Sequence, residues 1–285
     1  MQPRPIDVLQ LGLQRKICCW QIGDLLVDPG PESTLKNVLA ALGGQVPRAV
    51  LLTHIHLDHA GAAGTLARLY PELQVYVHAR GAKHMLDPSK LIASATRIYG
   101  EHMDTLWGKF EAVPEDRLHV LEGGETVEGF EVLYTPGHAV HHISYLSPDG
   151  QAFVGDVAGT RNELADGVRQ SAVVLPPTPP PDIDPPVWQS SIEALRGRDL
   201  KRLYYTHYGV AEDVDAHLTQ LSERLERWSG WARDYDKDEW CERVRAEMRS
   251  AGAGEDEVDY QTGPGALEAN YGGLRRFWDK QGAKS

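Results

Sequence analysis

The stretch His54-Ile55-His56-Leu57-Asp58-His59 places three imidazoles and a carboxylate directly behind the apolar run Ala49-Val50-Leu51-Leu52-Thr53. Three more strand-like runs stop at a side chain able to ligate a metal: Tyr134-Thr135-Pro136-Gly137-His138, Phe153-Val154-Gly155-Asp156 and Leu203-Tyr204-Tyr205-Thr206-His207. Because each ligand comes where a strand stops, all should lie on one edge of a sheet structure. Together they offer seven ligand groups, enough for two metal ions with room left for water and substrate. In extended backbone, residues two apart face the same way, so His54 and His56 can grip one ion together. Asp58 and His59 come at the turn into the next helix and point to a second ion. His138 would complete the first site and His207 the second, and Asp156 is the natural bridge because one carboxylate can give an oxygen to each ion.

Two divalent ions lower the pKa of a shared water to about 7. The expected chemistry is hydrolysis, with hydroxide attacking a carbonyl carbon or a phosphorus while one ion polarises the substrate oxygen. Asp58 could pass a proton to the leaving group. No Gly-x-Ser-x-Gly nucleophile motif competes. Imidazole and carboxylate suit zinc, iron and manganese alike; zinc is expected first, with iron or manganese as alternatives. Of the remaining histidines, His78, His84, His102, His119 and His217 read as surface or satisfied core residues.

The elements that must position these groups are short. A hairpin is expected over 17–27 around Ile22-Gly23-Asp24, a helix over 34–42, a buried strand over 49–52, a helix over 60–70 and a strand over 74–78. The helix starting near Ala60 would bring its positive dipole end close to the site. Residues 88–107 have helical length and could form an insertion over the site. Strands are expected over 118–121, 130–135, 143–146 and 152–154. The stretch 157–186 is irregular and carries Leu175-Pro176-Pro177-Thr178-Pro179-Pro180-Pro181, which reads as a structural loop or a rigid pocket wall, since proline fixes φ and removes a donor. A helix over 187–196 leads to a last strand over 203–206. Helices over 214–231, 234–249 and 266–280 follow, the last two separated by the Gly- and acid-rich 251–265. Leu51-Leu52-Thr53-His54 and Tyr204-Tyr205-Thr206-His207 echo one another, a hint of two similar halves.

The chain has 285 residues, 41% hydrophobic and 25% charged, as expected for one large globular domain or one with a modest extension. Its net charge of −12 argues against a nucleic-acid partner, which needs a basic stripe to meet phosphates. No run approaches the roughly 18 apolar residues that cross a bilayer, and the start lacks a secretion pattern. A cytoplasmic location, a small-molecule substrate and no nucleic-acid or membrane partner are the expectations, with a homodimer left open. Three cysteines make no disulfide framework: adjacent Cys18 and Cys19 face opposite sides of a strand, and structural thiols are expected.

In the order and spacing of these motifs, over about residues 5–210, the chain resembles the metallo-β-lactamase superfamily. The resemblance implies an α+β fold, a four-layer αββα sandwich with the metals at one edge between the sheets. The catalytic core is expected over 1–210, with a C-terminal helical extension over 211–285 packed on it. The pattern is most similar to the glyoxalase II and lactonase branch, because true β-lactamases usually carry cysteine or another histidine where Asp156 stands. Implied activity is dinuclear hydrolysis of a carboxylic ester, lactone or thioester. The alternatives are a phosphodiesterase of the same fold and a mononuclear non-haem iron persulfide dioxygenase. Flavin-linked di-iron oxygen reductases usually carry Glu at position 56 and need a flavin domain. Asp28 resembles the aspartate that braces the histidine loop, and His142 the second histidine of T-P-G-H-x-x-x-H, structural more than ligating. His141 matches nothing in the pattern. In glyoxalase II relatives the helical part binds the thiol portion of the substrate, which makes Tyr271, Arg275 and Arg276 candidates. Tyr208 and Arg161 are candidates from their nearness to His207 and Asp156 in the chain.

Overall fold

The computed structural model describes residues 2–162, 170–263 and 265–283. Positions 163–169 of the irregular stretch expected over 157–186, and position 264 of the separator expected over 251–265, lie outside the described residues.

Strands β1 (Arg4–Asp7), β2 (Cys18–Ile22), β3 (Leu25–Val27), β4 (Ala49–Leu51), β5 (Gln74–His78) and β6 (Leu118–Leu121) form one sheet in that spatial order. The first three pair antiparallel and the rest parallel. The second sheet runs β12 (Gly209–Ala211), β11 (Arg202–Tyr205), β10 (Gln151–Phe153), β9 (Ile143–Leu146), β8 (Phe130–Tyr134) and β7 (Thr126–Val127). Only β10 and β11 are parallel in it; its other pairs are antiparallel.

Alternation along the strands explains the layering, because successive side chains leave a strand on opposite faces. Leu25, Val27, Ala49 and Leu51 point between the sheets and pack with Val132, Ile143, Tyr145 and Phe153. Their chain neighbours Leu26 and Val50 point the other way. They meet helices α1 (Leu35–Leu42), α3 (Ala63–Leu69) and α4 (Ala79–Leu86) through Val38, Leu66 and Met85, which follow α2 (Leu57–Ala60) in the chain only in the last two cases. Helices α5 (Ser89–Tyr99) and α6 (Met103–Leu106) cover the same side. On the far side lie α7 (Pro185–Arg196), α8 (Val214–Asp234), α9 (Lys237–Ser250), α10 (Glu255–Gln261) and α11 (Ala266–Gly282). The result is the four-layer αββα sandwich. Cys18 and Cys19 obey the same alternation, one between the sheets and one under the helices; all three cysteines are buried and none is in a disulfide among the described residues.

The C-terminal helices share one core with the second sheet. Trp188, Trp228, Trp240 and Leu274 pack in the same cluster as Leu203 and Tyr205. Each fully buried indole removes on the order of 200 Å2 from water, about 5 kcal/mol at ~25 cal/mol per Å2. Helices held that firmly are a layer of the sandwich. A division at residue 210 falls inside β12.

Several elements differ from the sequence expectation. The helix expected over 60–70 is α3, with the separate short helix α2 before it; between them the Ala62 N–H leaves the helical ladder and donates to the Gly30 carbonyl at 2.9 Å. Asp58 and His59 therefore sit within α2, and the dipole of one continuous helix starting at Ala60 is absent. The helix expected over 88–107 breaks at Gly100, φ 54°. The separator expected over 251–265 contains α10, whose first turn holds Glu255, Asp256 and Glu257, acids that favour a helix N-terminus. Among the described residues no helix is long and apolar enough to cross a membrane.

Candidate metal centre

The four ligand-bearing loops leave β4, β8, β10 and β11 at their C-terminal ends, so they gather on one edge of the sandwich. Bonds between the sheets hold that edge in register. Ile143 N–H donates to the Thr53 carbonyl at 2.8 Å, Cys18 N–H to the Thr206 carbonyl at 2.7 Å, and Tyr145 O–H to the Leu52 carbonyl at 3.0 Å. Two glycines are required by close approach. A Cβ on Gly137 (φ 128°) would collide with the Trp188 backbone, and one on Gly155 (φ 45°) would sit 2.8 Å from His142 Nε2.

Two clusters result. Ligand atoms of His54, His56 and His138 lie within 4.8 Å of one another, as do those of Asp58, His59 and His207. Asp156 stands between them. Its Oδ2 is 3.5 Å from both His138 Nε2 and His207 Nε2, and its Oδ1 is 3.4 Å from His59 Nε2. Asp58 Oδ2 is 3.4 Å from His207 Nε2 and 3.7 Å from His59 Nε2. All seven residues singled out from the sequence as metal ligands are thus brought together.

The other ring nitrogens show which atoms are aimed inward. Thr53 Oγ1 donates to Asp28 Oδ2 at 2.6 Å, so it accepts from His54 Nδ1 at 3.1 Å and leaves His54 Nε2 bare. His59 Nδ1 donates to Asp28 Oδ2 (2.8 Å), His138 Nδ1 to the Pro177 carbonyl (2.9 Å) and His207 Nδ1 to the Lys16 carbonyl (3.3 Å). This is the outer-shell arrangement that fixes a ligating imidazole. His56 is the exception, presenting Nδ1 3.1 Å from His138 Nε2. His54 Nε2, His59 Nε2 and Asp156 Oδ1 are buried without a hydrogen-bond partner. An orphaned buried polar atom costs about 1–3 kcal/mol, and three of them among residues grouped at ligand spacing fit cations. The residues present therefore suit a metal.

Asp28 and His142 act behind the ligands. Asp28 is fully buried; its Oδ1 accepts from Thr53 N–H at 2.8 Å, and its Oδ2 from Thr53 Oγ1, Thr206 Oγ1 and His59 Nδ1 at 2.6, 2.7 and 2.8 Å. The echo between Thr53-His54 and Thr206-His207 has its physical meaning here: one carboxylate holds both threonines and so anchors both loops. His142 Nε2 accepts from Asp156 N–H at 3.2 Å, and its Nδ1 then donates to Thr135 Oγ1 at 3.0 Å. It orients Asp156 without facing the clusters. His78, His119 and His217 bond to Arg80 N–H, Gln74 and the Ala158 carbonyl.

The clusters differ electrically. Burial, and then the neighbouring imidazoles, hold His54 well below the ordinary histidine value; burial lowers His56 and pushes His138 down to about 4 despite Asp156. At His59 burial opposes charge, but Asp156, Asp58 and Asp28 outweigh it and hold the imidazolium well above 6.5. At His207 burial again opposes, and Asp156 with Asp58 lift it to about 10. Burial would raise Asp58 and Asp156, yet the adjacent histidines keep both below the ordinary carboxylate range. The first cluster is neutral at pH 7, and the second holds protons that an ion must displace. Metal binding at the second cluster should therefore tighten as pH rises from 7 toward 10, by at least about one log unit per pH unit for the proton displaced from His207. The first should vary little above pH 6.5. Zinc titrations at a series of pH values check this, and equal slopes for the two steps would contradict it.

A cavity of about 320 Å3 opens on the clusters at His56, Asp58, Asp156 and His207. Leu91, Ile98 and Tyr99 of α5, Trp107, and Pro177 and Pro179–Pro181 form its walls. The proline run is thus a pocket wall, and the 88–107 insertion lies over the site. Ala266, Ala269 and Asn270 of α11 complete the lining, with Asn270 Oδ1 accepting from Thr178 N–H at 2.8 Å. The five candidate substrate residues lie elsewhere. Arg161 donates to the Ser171 carbonyl (2.8 Å) and shares a separate depression with Tyr208. Tyr271 donates to the Tyr235 carbonyl, Arg275 pairs with Asp279, and both border an outer groove on α11 together with Arg276. Of the cavity residues, Tyr99 and Trp107 belong to the 88–107 insertion expected over the site, while Leu57 and Asn270 were not singled out in the sequence.

The sequence profile of the metallo-beta-lactamase superfamily matches residues 23–207, and the chain belongs to that superfamily. It is 30% identical over 186 residues to the metallo-beta-lactamase fold-containing protein ST1585 of Sulfurisphaera tokodaii, covering 62% of this chain and 67% of that protein. The crystal structure of ST1585 has a TM-score of 0.66 and spans 96% of this chain and 97% of that one at 24% identity. A hydroxyacylglutathione hydrolase of Hamiltonella defensa is 27% identical over 176 residues, 55% of this chain and 57% of the enzyme's own length. TTHA1623, solved in a di-iron-bound form, has a TM-score of 0.56 and 26% identity over 78% of this chain and 98% of its own.

Proposed function

We propose that the protein is a hydrolase that uses two divalent metal ions to cleave a carboxylic ester, lactone or thioester. The observation that carries this reading is the place of Asp156, whose two oxygens face both histidine clusters at 3.4–3.5 Å. His54, His56 and His138 would hold one ion, Asp58, His59 and His207 the other, with Asp156 shared. Zinc is the proposed metal, although the donors suit iron and manganese too, and TTHA1623 binds two irons. Bound there, the pair supplies an ionised water at neutral pH and a Lewis acid for the substrate carbonyl.

The chain's own residues supply the rest. Apolar walls from Leu57, Leu91, Ile98 and Trp107 suit an acyl group and keep bulk water from the reacting carbonyl. Hydrolysis adds hydroxide to the carbonyl carbon and breaks the bond to the leaving oxygen or sulfur; an alkoxide needs a proton as it leaves, whereas a thiolate departs as the anion. Asp58 lies at the cavity wall with its side chain 21% exposed, placed to receive the proton of the attacking water and hand it on. Similarity to a hydroxyacylglutathione hydrolase favours the thioester within this class.

Asp58→Asn keeps the shape and removes the proton carrier. Turnover should fall by about 10²–10⁴-fold for alkyl esters, whose alkoxide must be protonated, and much less for p-nitrophenyl esters or thioesters. An equal fall for both classes would assign Asp58 to metal ligation alone. The proposal itself is tested by metal analysis with lactones, thioesters, esters and bis-p-nitrophenyl phosphate. Turnover confined to the phosphodiester, or one iron per chain with oxygen uptake, would select another reaction.

A further inference from the structure

Beside the metal cavity lies a second depression of about 440 Å3, which shares His56, Leu91, Ser94 and Pro181 with it. Its walls carry Arg80, Lys83 and His84 from α4, Lys90 from α5, and His141, against one carboxylate, Asp182. This is an unusual concentration of positive charge in a chain with 41 acidic and 29 basic residues. Among the described residues Arg80, Lys83 and Lys90 form no ion pair. Burial and then Lys83 and Lys90 lower the His84 imidazole, with Asp182 and Asp87 acting the other way. Charges collected in a concave, partly apolar setting attract counter-ions more strongly than the same charges scattered on a surface.

His141 links this groove to the metals. Ile55 N–H donates to its Nδ1 at 3.4 Å, so the ring proton is on Nε2, which has no hydrogen-bond partner among the described residues. The ring lies edge-on to His56, centroids 5.7 Å apart, and borders the groove. A neutral donor thus stands between a metal ligand and the cationic side chains.

We propose that this groove is an anion subsite continuous with the metal cavity, and that the substrate carries a carboxylate or phosphate remote from the bond that is cut. In this arrangement the reacting carbonyl lies over the metals, the apolar part against the α5 and proline walls, and the anionic end past His56 among His141, Lys83 and Lys90. The proposal deepens the hydrolase reading and rests on it for the word substrate, but the subsite can be tested by binding alone.

The test compares glutarate, 3-phosphonopropanoate and butyrate binding to metal-loaded protein by calorimetry. One carboxylate of each reaches the metals, and only the first two carry a second anion. The doubly anionic probes should bind about tenfold more tightly than butyrate, the size expected of one well-placed charge contact. The larger gain identifies the anion preferred. Lys83→Glu/Lys90→Glu should abolish the gain and Lys83→Arg/Lys90→Arg should keep it; both positions are exposed, and circular dichroism verifies folding. No gain in the wild type, or a gain that survives charge reversal, overturns the subsite. A gain that behaves as expected, with no ester, lactone or thioester turned over, would sink the hydrolase reading and leave the subsite standing.

Discussion

Asp28→Asn is expected to cost the protein both metal loops, although the side chain changes by one atom and touches no metal. Asp28 Oδ1 accepts from Thr53 N–H, and Oδ2 accepts from Thr53 Oγ1, Thr206 Oγ1 and His59 Nδ1. An amide must point its NH2 either at the backbone N–H or at the three donors on the other side. Either way a buried donor meets a buried donor. With about 1–3 kcal/mol lost for each unsatisfied group, the total is about 4 kcal/mol or more, a large share of a typical 5–15 kcal/mol stability. Thermal unfolding should drop by about 10 °C, and metal affinity by about 10–100-fold through the misaligned His59. A variant that melts like the wild type and keeps its metal would show that Asp28 is only a turn residue, as its positive φ of 47° alone could suggest.

Asp156→Ala should have the larger effect on activity. It removes the one carboxylate that faces both clusters while leaving all five imidazoles in place. Metal content should fall to one ion per chain or fewer, and kcat/KM by at least about 10³-fold, which corresponds to ~4 kcal/mol of transition-state stabilisation. An independent sign accompanies it in metal-free protein. Asp156 is the leading attraction that holds His207 up at about 10 against burial, so NMR titration of His207 should show a clear downward shift in the variant. Full metal content with a small loss of turnover would make Asp156 a peripheral carboxylate.

The grouping of the seven candidate ligands could be read from the chain because they follow the ends of short apolar runs. Strand ends converge when strands pair, so position along the chain translates into position in space. The opposite facing of Cys18 and Cys19 followed from alternation along a strand for the same reason. Substrate residues have no such rule. Arg161 and Tyr208 are near ligands in sequence, but Tyr208 has φ 52° and leaves the edge toward another depression. On α11 the residues at the cavity are Ala266, Ala269 and Asn270, while Tyr271 and Arg275 occupy another face; a helix with charges on several faces does not announce which one docks. The break between α2 and α3 was equally hidden, since there the Ala62 N–H donates to the carbonyl of Gly30, distant in the chain. His141 gained meaning only when the groove beside it was visible.

The central claim is that two cations occupy the space between the clusters, and anomalous diffraction from a crystal grown with zinc tests it most directly. The account predicts two peaks per chain, one among His54, His56 and His138 and one among Asp58, His59 and His207, with Asp156 touching both. A single peak with the second cluster still holding its protons, or none at all with zinc in excess, would contradict it.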